Sequence, residues 1–329
     1  MRRREFLGAL SGAMAWPLAA RAQQPDRMRR IGVLMSLMEH DPGAMGEVSA
    51  LADGLRILGW TNGGNVEMIY RWPGGDTERA RAFAKEVIAL HPDVMVARST
   101  PATRALMDET HTIPIVFVQV ADPVASGIVD SLARPGGNVT GFTNVEPSVG
   151  GKWLALLKDL APSVTRAAIL FNPDTAPYYP EFLKAITTAG HALSINVISA
   201  PVKDTAAIDA AVTALAGQPG GGLVVIPDTF VLQYRDQVIA LAAKYRLPAI
   251  YSTIDYSRSG ALLCYGVDTR DLFRRAAAYV DRILKGAKAA DLPVQQPVKF
   301  DLVVNVKMAK ALGINIPQSM LVSADELIE

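Results

Sequence analysis

The chain has 329 residues, half of them apolar and 20% charged, with a formal net charge of +1 and a single cysteine. That length exceeds one ordinary small domain and predicts two lobes with packed cores. The one cysteine excludes an internal disulfide; Cys264 lies in an apolar run and reads as a small buried hydrophobe.

The first 22 residues stand apart. A basic start, Arg2-Arg3-Arg4, is followed by a short apolar run from Leu7 to Leu18, and Ala20-Arg21-Ala22 offers an A-x-A cleavage site. This is the anatomy of a cleaved signal peptide ending near Ala22, too short to span a membrane. Arg3-Arg4 before Phe6-Leu7 also matches the twin-arginine export pattern. Removing its four Arg and one Glu takes the formal charge from +1 to −2. A mildly acidic exported protein is a poor candidate for nucleic-acid binding, and the expected location is the periplasm.

From Arg30 the pattern alternates strand and helix. Strands are predicted at Arg30 to Ser36, Val66 to Trp72, Val94 to Arg98 and Ile115 to Val120, each nearly continuous in apolar residues, as in a parallel sheet. Helices fall at Ala44 to Leu58, at 77–90 and after Ser99, where Thr100 is placed to cap and Pro101 to open the helix. A short helical segment is expected after Ala121-Asp122-Pro123, before Pro135-Gly136-Gly137 turns the chain into a strand from Val139 to Thr143.

The rhythm then restarts. Strands are predicted at Arg166 to Phe171, Ile195 to Ser199, Leu223 to Ile226, Ala249 to Tyr251 and Leu262 to Val267. Helices are predicted at Lys152 to Leu160, Tyr179 to Ala189, Thr205 to Ala216, Val231 to Tyr245 and Arg270 to Leu284. A strand at Phe300 to Asn305 and a helix through Leu312 are too little for a third domain and return to complete an earlier lobe. The fold class is α/β, with two doubly wound parallel-sheet lobes.

Ligands of open α/β sheets sit beyond the carboxyl ends of the strands. Here those ends read Ser36; Ser99-Thr100-Pro101; Ala121-Asp122-Pro123; Asn172-Pro173-Asp174-Thr175; Pro227-Asp228-Thr229; and Ser252-Thr253. Each residue alone serves equally as a helix cap. As a set facing each other across two lobes they predict a cleft for a small polar ligand, hydroxyls and free N–H groups taking a carboxylate and a carboxylate taking an ammonium. Tyr178, Tyr179, Tyr251 and Tyr256 lie in strand-end loops, placed either to stack on a ligand or to pack the lobe surface.

Signals for chemistry are thin. His40, His91, His111 and His191 are scattered without metal-ligand spacing, so no metal is expected. The sequence has no G-x-S-x-G elbow, no phosphate-binding loop and no G-x-G-x-x-G after the first strand, so no cofactor is expected. Asp122 is the one candidate general base, and no partner for it is visible in the sequence.

The blocks PIVFVQVADPVASGIVDSLARPGGNVTGFTN (114–144), STPAT (99–103), LFNPDTAP (170–177) and LPVQQPVKFDLVVNVKMAKALGINIP (292–317) resemble, in order, the substrate-binding proteins of tryptophan/tyrosine-type ABC transporters. The resemblance spans the chain beyond residue 28. It implies a type I periplasmic-binding-protein-like fold, with three crossing segments near 141–144, 265–268 and 297–300. Lobe one would be 28–143 plus 267–298, and lobe two 144–266 plus 299–329. It implies that Ser99, Thr100, Pro101, Gln119, Ala121 and Asp122 meet the ligand from the first lobe, and Asn172, Thr175, Asp228, Thr229 and Asp255 from the second. Ser36 and Tyr251 at strand ends and Asn144 at the first crossing are further candidates from their positions in the chain.

The resemblance also implies a monomer that hands a small carboxylate-bearing or amino-acid-like ligand to a membrane permease and its ATPase, and that catalyses nothing. Two other uses of such a cleft are a sensory module for a membrane receptor and a doubly wound enzyme using Asp122. The chain departs from the family's pattern at two places. His40-Asp41-Pro42-Gly43-Ala44 stands where many members read H-P-A-L-D, and Asp228-Thr229 where Asp-Asn is usual.

Overall fold

Runs of β-branched and small apolar residues build two separate sheets, the first parallel and the second parallel but for one strand pair, in a computed structural model of the chain, which describes residues 28–329. The export segment predicted at 1–22 lies outside the described residues. The first sheet contains β1 (Arg29–Leu34), β2 (Val66–Arg71), β3 (Val94–Arg98), β4 (Ile115–Val120) and β5 (Val139–Thr143). Their order is β2-β1-β3-β4-β5, all parallel. Helices α1 (Pro42–Ile57), α2 (Thr77–Ala89) and α3 (Ser99–Glu109) make the crossovers. Both faces are covered, which is why β3 and β5 are buried at every residue.

The second sheet holds β6 (Arg166–Phe171), β7 (Asn196–Pro201), β8 (Gly221–Val225), β9 (Ala249–Tyr251), β10 (Leu263–Gly266), β11 (Asp301–Asn305) and β12 (Glu326–Ile328). Their order is β12-β11-β10-β9-β8-β6-β7, with β11 antiparallel to β10. Helices α4 (Val149–Leu160), α5 (Tyr179–Leu193), α6 (Thr205–Ala216), α7 (Thr229–Gln233) and α8 (Arg235–Lys244) accompany it. Next in the chain is α9 (Thr269–Leu284), which packs not on this sheet but on α1 and on β3, β4 and β5. After β11 come α10 (Val306–Leu312) and α11 (Gln318–Ser323).

The chain therefore passes between the sheets three times, at 144–148, 267–268 and 297–300. This is the two-lobed, three-crossing architecture of the type I periplasmic binding proteins. Gln295, just before the third passage, pairs with the end of β5, where the first passage begins: Thr143 N–H donates to its carbonyl and its own N–H donates to the Gly141 carbonyl, both at 2.9 Å. On the other side, Trp153 Nε1 in α4 donates to the Tyr265 carbonyl at 2.8 Å, bracing the second passage against the helix that follows the first.

Three local expectations are corrected. Residues 121–135 form turns rather than a helix; Asp122 and Gly127 take positive φ, and Pro123 and Pro135 break any hydrogen-bonded run. Helix α3 begins at Ser99 directly out of β3, so Thr100 is not its cap and Pro101 is not its first residue. The helix predicted over 231–245 is two, α7 and α8, interrupted at Tyr234, whose φ of −102° and ψ of 26° leave the helical range.

Gly141 in β5 sits where no side chain fits: a Cβ there would lie 2.0 Å from the Phe117 carbonyl oxygen. Gly141→Ala should therefore cost about 2 kcal/mol through forced displacement of β4, measured as a lower urea midpoint with an unchanged slope.

Candidate ligand-binding cleft

The carboxyl ends of both sheets face one cavity that opens to solvent. Its first-lobe wall starts from the sequence VMVAR, an apolar strand ending in a guanidinium. Arg98 is 1% exposed and Glu47, on the inner face of α1, is fully buried. Arg98 Nε donates to Glu47 Oε2 at 2.6 Å and Nη2 to Oε1 at 3.1 Å, while Nη1 donates to Ser36 Oγ at 3.0 Å. Gln119 Nε2 donates to Glu47 Oε1 at 2.6 Å. Burial works to raise the Glu47 carboxyl, opposed by the adjacent Arg98 charge. Two contacts to one carboxylate make this a fork-to-fork pair.

The backbone is strained where this wall forms. Ser99 has φ +79° and Gln119 φ +62°, left-handed values that non-glycine residues avoid. At Gln119 the pairing of β4 with β5 skips a residue between Val118 and Val120, and this bulge lets its side chain reach Glu47. Strain of this kind, of order 1–3 kcal/mol per residue, concentrates at functional sites.

On the second lobe Asp228 is the organising residue. It caps α7, accepting from Val231 N–H at 2.9 Å, and also accepts from Thr175 Oγ1 at 2.8 Å and from the Asn172 N–H. Among the described residues no cation pairs with it. Burial pushes its carboxyl up to about 6, against the pull of these hydrogen bonds. Tyr178 donates to the Pro227 carbonyl at 2.9 Å. Burial, reinforced by the nearby Asp228 charge, raises the pKa of both Tyr178 and Tyr256, so both phenols stay protonated.

The most informative feature is what remains unpaired. Ser99 Oγ, Asn144 Oδ1, Ser252 Oγ and Tyr256 OH are buried, line the cavity and have no hydrogen-bond partner in the protein; Thr100 Oγ1, one residue on from Ser99, is likewise buried and unpartnered. Buried polar groups are hydrogen-bonded in the great majority of cases. Four around one cavity, between a guanidinium and a carboxylate, define a receptor for a small polar molecule with both donors and acceptors.

Of the residues singled out from sequence, Ser99, Gln119, Asn144, Asp228 and Thr229 line this cavity. Ser36, Asn172 and Thr175 sit one layer behind it, holding Arg98 or Asp228. Tyr251 is buried, its ring packed 4.7 Å from that of Tyr256, which does face the cavity. Asp255 accepts from Thr253 Oγ1 at 3.2 Å and Thr269 Oγ1 at 3.4 Å, one layer behind Thr253, which lines the cavity. Pro101 lies in the first turn of α3 and Ala121 is fully buried, neither of them lining the cavity. Asp122 lines a separate recess beside the first passage, its Oδ1 accepting Ala125 N–H at 3.0 Å.

Sequence reasoning missed Arg98 and Glu47. Their signal was present: a charge closing an all-apolar strand, and a Glu in register with Ala44, Leu51 and Leu55 on the apolar face of α1. Among the described residues no cluster of His, Cys, Asp or Glu can hold a metal, and no helix is long and apolar enough to cross a membrane.

Two α/β lobes, three passages and a polar cavity between them define a ligand-binding protein of the periplasmic-binding class. The family model described as "ABC transporter substrate binding protein" matches residues 30–328, and the chain belongs to that family. It is 27% identical over 289 residues to a "Tyrosine-binding protein" of Clostridioides difficile, covering 87% of this chain and 81% of the relative. A solved structure from Streptococcus pneumonia, an ABC domain in complex with L-Trp, superposes with a TM-score of 0.83 at 27% identity, over 91% of this chain and 99% of that one. A ligand-free, open substrate-binding protein with adhesive properties from Clostridium difficile gives a TM-score of 0.66 at 25% identity, over 91% and 99%. The family is one of solute-binding proteins.

Two outcomes are expected. Glu47→Ala, which leaves the Arg98 charge buried and unpaired, should lower unfolding free energy by about 3–5 kcal/mol in urea titrations. Asp228 binds its proton more tightly folded than unfolded, so its contribution favours folding below its ordinary value of 3.8 and is lost as pH rises through about 6. Asp228→Asn should remove that loss, gaining on the parent by up to about 3 kcal/mol between those pH values.

Proposed function

We propose that this chain is the exported solute-binding component of an ABC importer, capturing an amino-acid-like ligand by closure of two lobes. The lobes comprise 28–143 plus 267–298, and 144–266 plus 299–329, and turn about the three passages. Cleaved near Ala22, the mature chain works as a periplasmic monomer, delivers its cargo to a membrane permease with its ATPase, and binds no nucleic acid.

The observation that carries this reading is the polarity of the cavity. Ser99 and Thr100, with unpartnered hydroxyls, open α3, whose first turn has no capping side chain, and Arg98 stands beside them. Hydroxyls and first-turn N–H groups together receive a carboxylate. Asp228 faces them from the other lobe without a cation, and an ammonium supplies one. A zwitterion spans the two and is favoured by both only when the lobes are closed. The relatives named for tyrosine and bound to L-Trp support an amino acid. The higher TM-score to the L-Trp complex than to the open, ligand-free protein supports a closed arrangement here.

A thermal-shift screen of L-tyrosine, L-tryptophan, aliphatic amino acids and plain carboxylates tests this. One amino acid should give saturable stabilisation, about 2.7 kcal/mol at 100 times its Kd, and be recovered unchanged. Its affinity should fall about tenfold per pH unit below the Asp228 pKa of about 6. Stabilisation by no amino acid, or consumption of the one that binds, would end the proposal.

A further inference from the structure

Beyond the cavity, the lobes also meet along one rim, and the contact there is ionic. Asp41 precedes α1 in the first lobe; its Oδ1 accepts Ala44 N–H at 3.0 Å, and its Oδ2 lies 2.5 Å from Arg235 Nη2. Arg235 opens α8 on the second lobe, where its Nε donates to Ser259 Oγ at 3.1 Å and its Nη1 to the Leu232 carbonyl at 3.2 Å. The two side chains are 7% and 16% exposed, and neither lines the ligand cavity. First-lobe glycines lie near second-lobe side chains on either side of them. A Cβ on Gly43 would lie 3.6 Å from Asp255 Oδ1, and one on Gly75 would lie 3.5 Å from Gln233 Cβ.

We infer that Asp41 and Arg235 form a latch that stabilises the closed arrangement without touching the ligand. An exposed ion pair contributes little because two long side chains must be ordered to make it. Here that cost is met within each lobe beforehand. Helix capping fixes the Asp41 carboxylate, and two hydrogen bonds fix the Arg235 guanidinium, so closure joins two groups already held. Exclusion of water around the pair strengthens the attraction further. Because the pair exists only when the lobes meet, it shifts the open–closed equilibrium before any ligand arrives. Observed affinity scales with the closed fraction, and ligand release must first break the latch.

The latch rests on the ligand-binding reading for its effect on release, while the shape of the unliganded protein tests it separately. Asp41→Asn is the informative variant, since Asn caps a helix as well as Asp does and only the charge is lost. Small-angle scattering of the unliganded parent, Asp41→Asn, Arg235→Gln and the double variant should give a smaller radius of gyration for the parent. The three variants should be equally expanded, the double no more than either single. L-Tyrosine should dissociate about tenfold faster from Asp41→Asn, as when one partner of a buried interfacial pair is lost. If Arg235→Gln fails to fold, Asp41→Asn against the parent decides. Equal radii for parent and variants overturn the latch, whether or not L-tyrosine binds. A difference in radius without L-tyrosine binding upholds it and leaves only the ligand assignment at fault.

Discussion

A guanidinium buried at the end of a strand must be paired, and meeting that requirement shapes the whole first-lobe wall of the cleft. Arg98 leaves β3 at the point where the sheet stops and the cavity begins. Glu47 answers it from α1, so the helix cannot turn or slide without exposing an uncompensated charge. The same carboxylate draws in Gln119, which reaches it by bulging out of β4 into a left-handed conformation. One ion pair thus locks two strands and a helix into a single rigid edge. Its net charge is zero, which leaves hydroxyls and backbone N–H groups to set what the wall prefers.

The second lobe solves the opposite problem. Asp228 is buried with no cation among the described residues, and three hydrogen bonds to it compensate only in part, which is why its carboxyl remains raised. Its structural task, capping α7 and holding Asn172 and Thr175, keeps it in place whether or not a ligand is present. The cleft is therefore electrostatically lopsided: neutralised on one side, and short of a positive charge on the other. In the proposed function, the ammonium of the ligand completes the second lobe as a counter-ion would.

Rigid edges on both lobes place the burden of movement on the passages between them. The passages are short, and two anchors bracket them: Gln295 on the first lobe and Trp153 with Tyr265 on the second. In the proposed closure, motion so confined is rotation of one lobe against the other rather than internal rearrangement. The close packing at Gly141 belongs to the same scheme, since β5 ends where the first passage starts and must be held firmly against β4.

How much of this was legible in sequence follows from the range of each interaction. Buried parallel strands announce themselves through unbroken apolar runs, and the βα rhythm gives two lobes, because these are local patterns of period and length. The polar residues gathered at strand ends were legible for the same reason: the end of a strand is a sequence position, and Ser99, Asn144, Asp228 and Thr229 line the cavity from such positions. Whether a strand-end residue faces the cavity or stands behind it was not legible. Asn172 and Thr175 share composition and position with the lining residues, and only the packing of β6 against the turn before α7 directs them to Asp228. The charged pair of Arg98 and Glu47 spans 51 residues of chain, and Asp41 with Arg235 spans two lobes. Each partner taken singly reads as an ordinary helix or strand-end charge. Local sequence thus marked most of the elements, their order and the strand ends that line the cavity. Tertiary structure alone decided which charges are paired and which await a partner, because pairing depends on distances the fold creates.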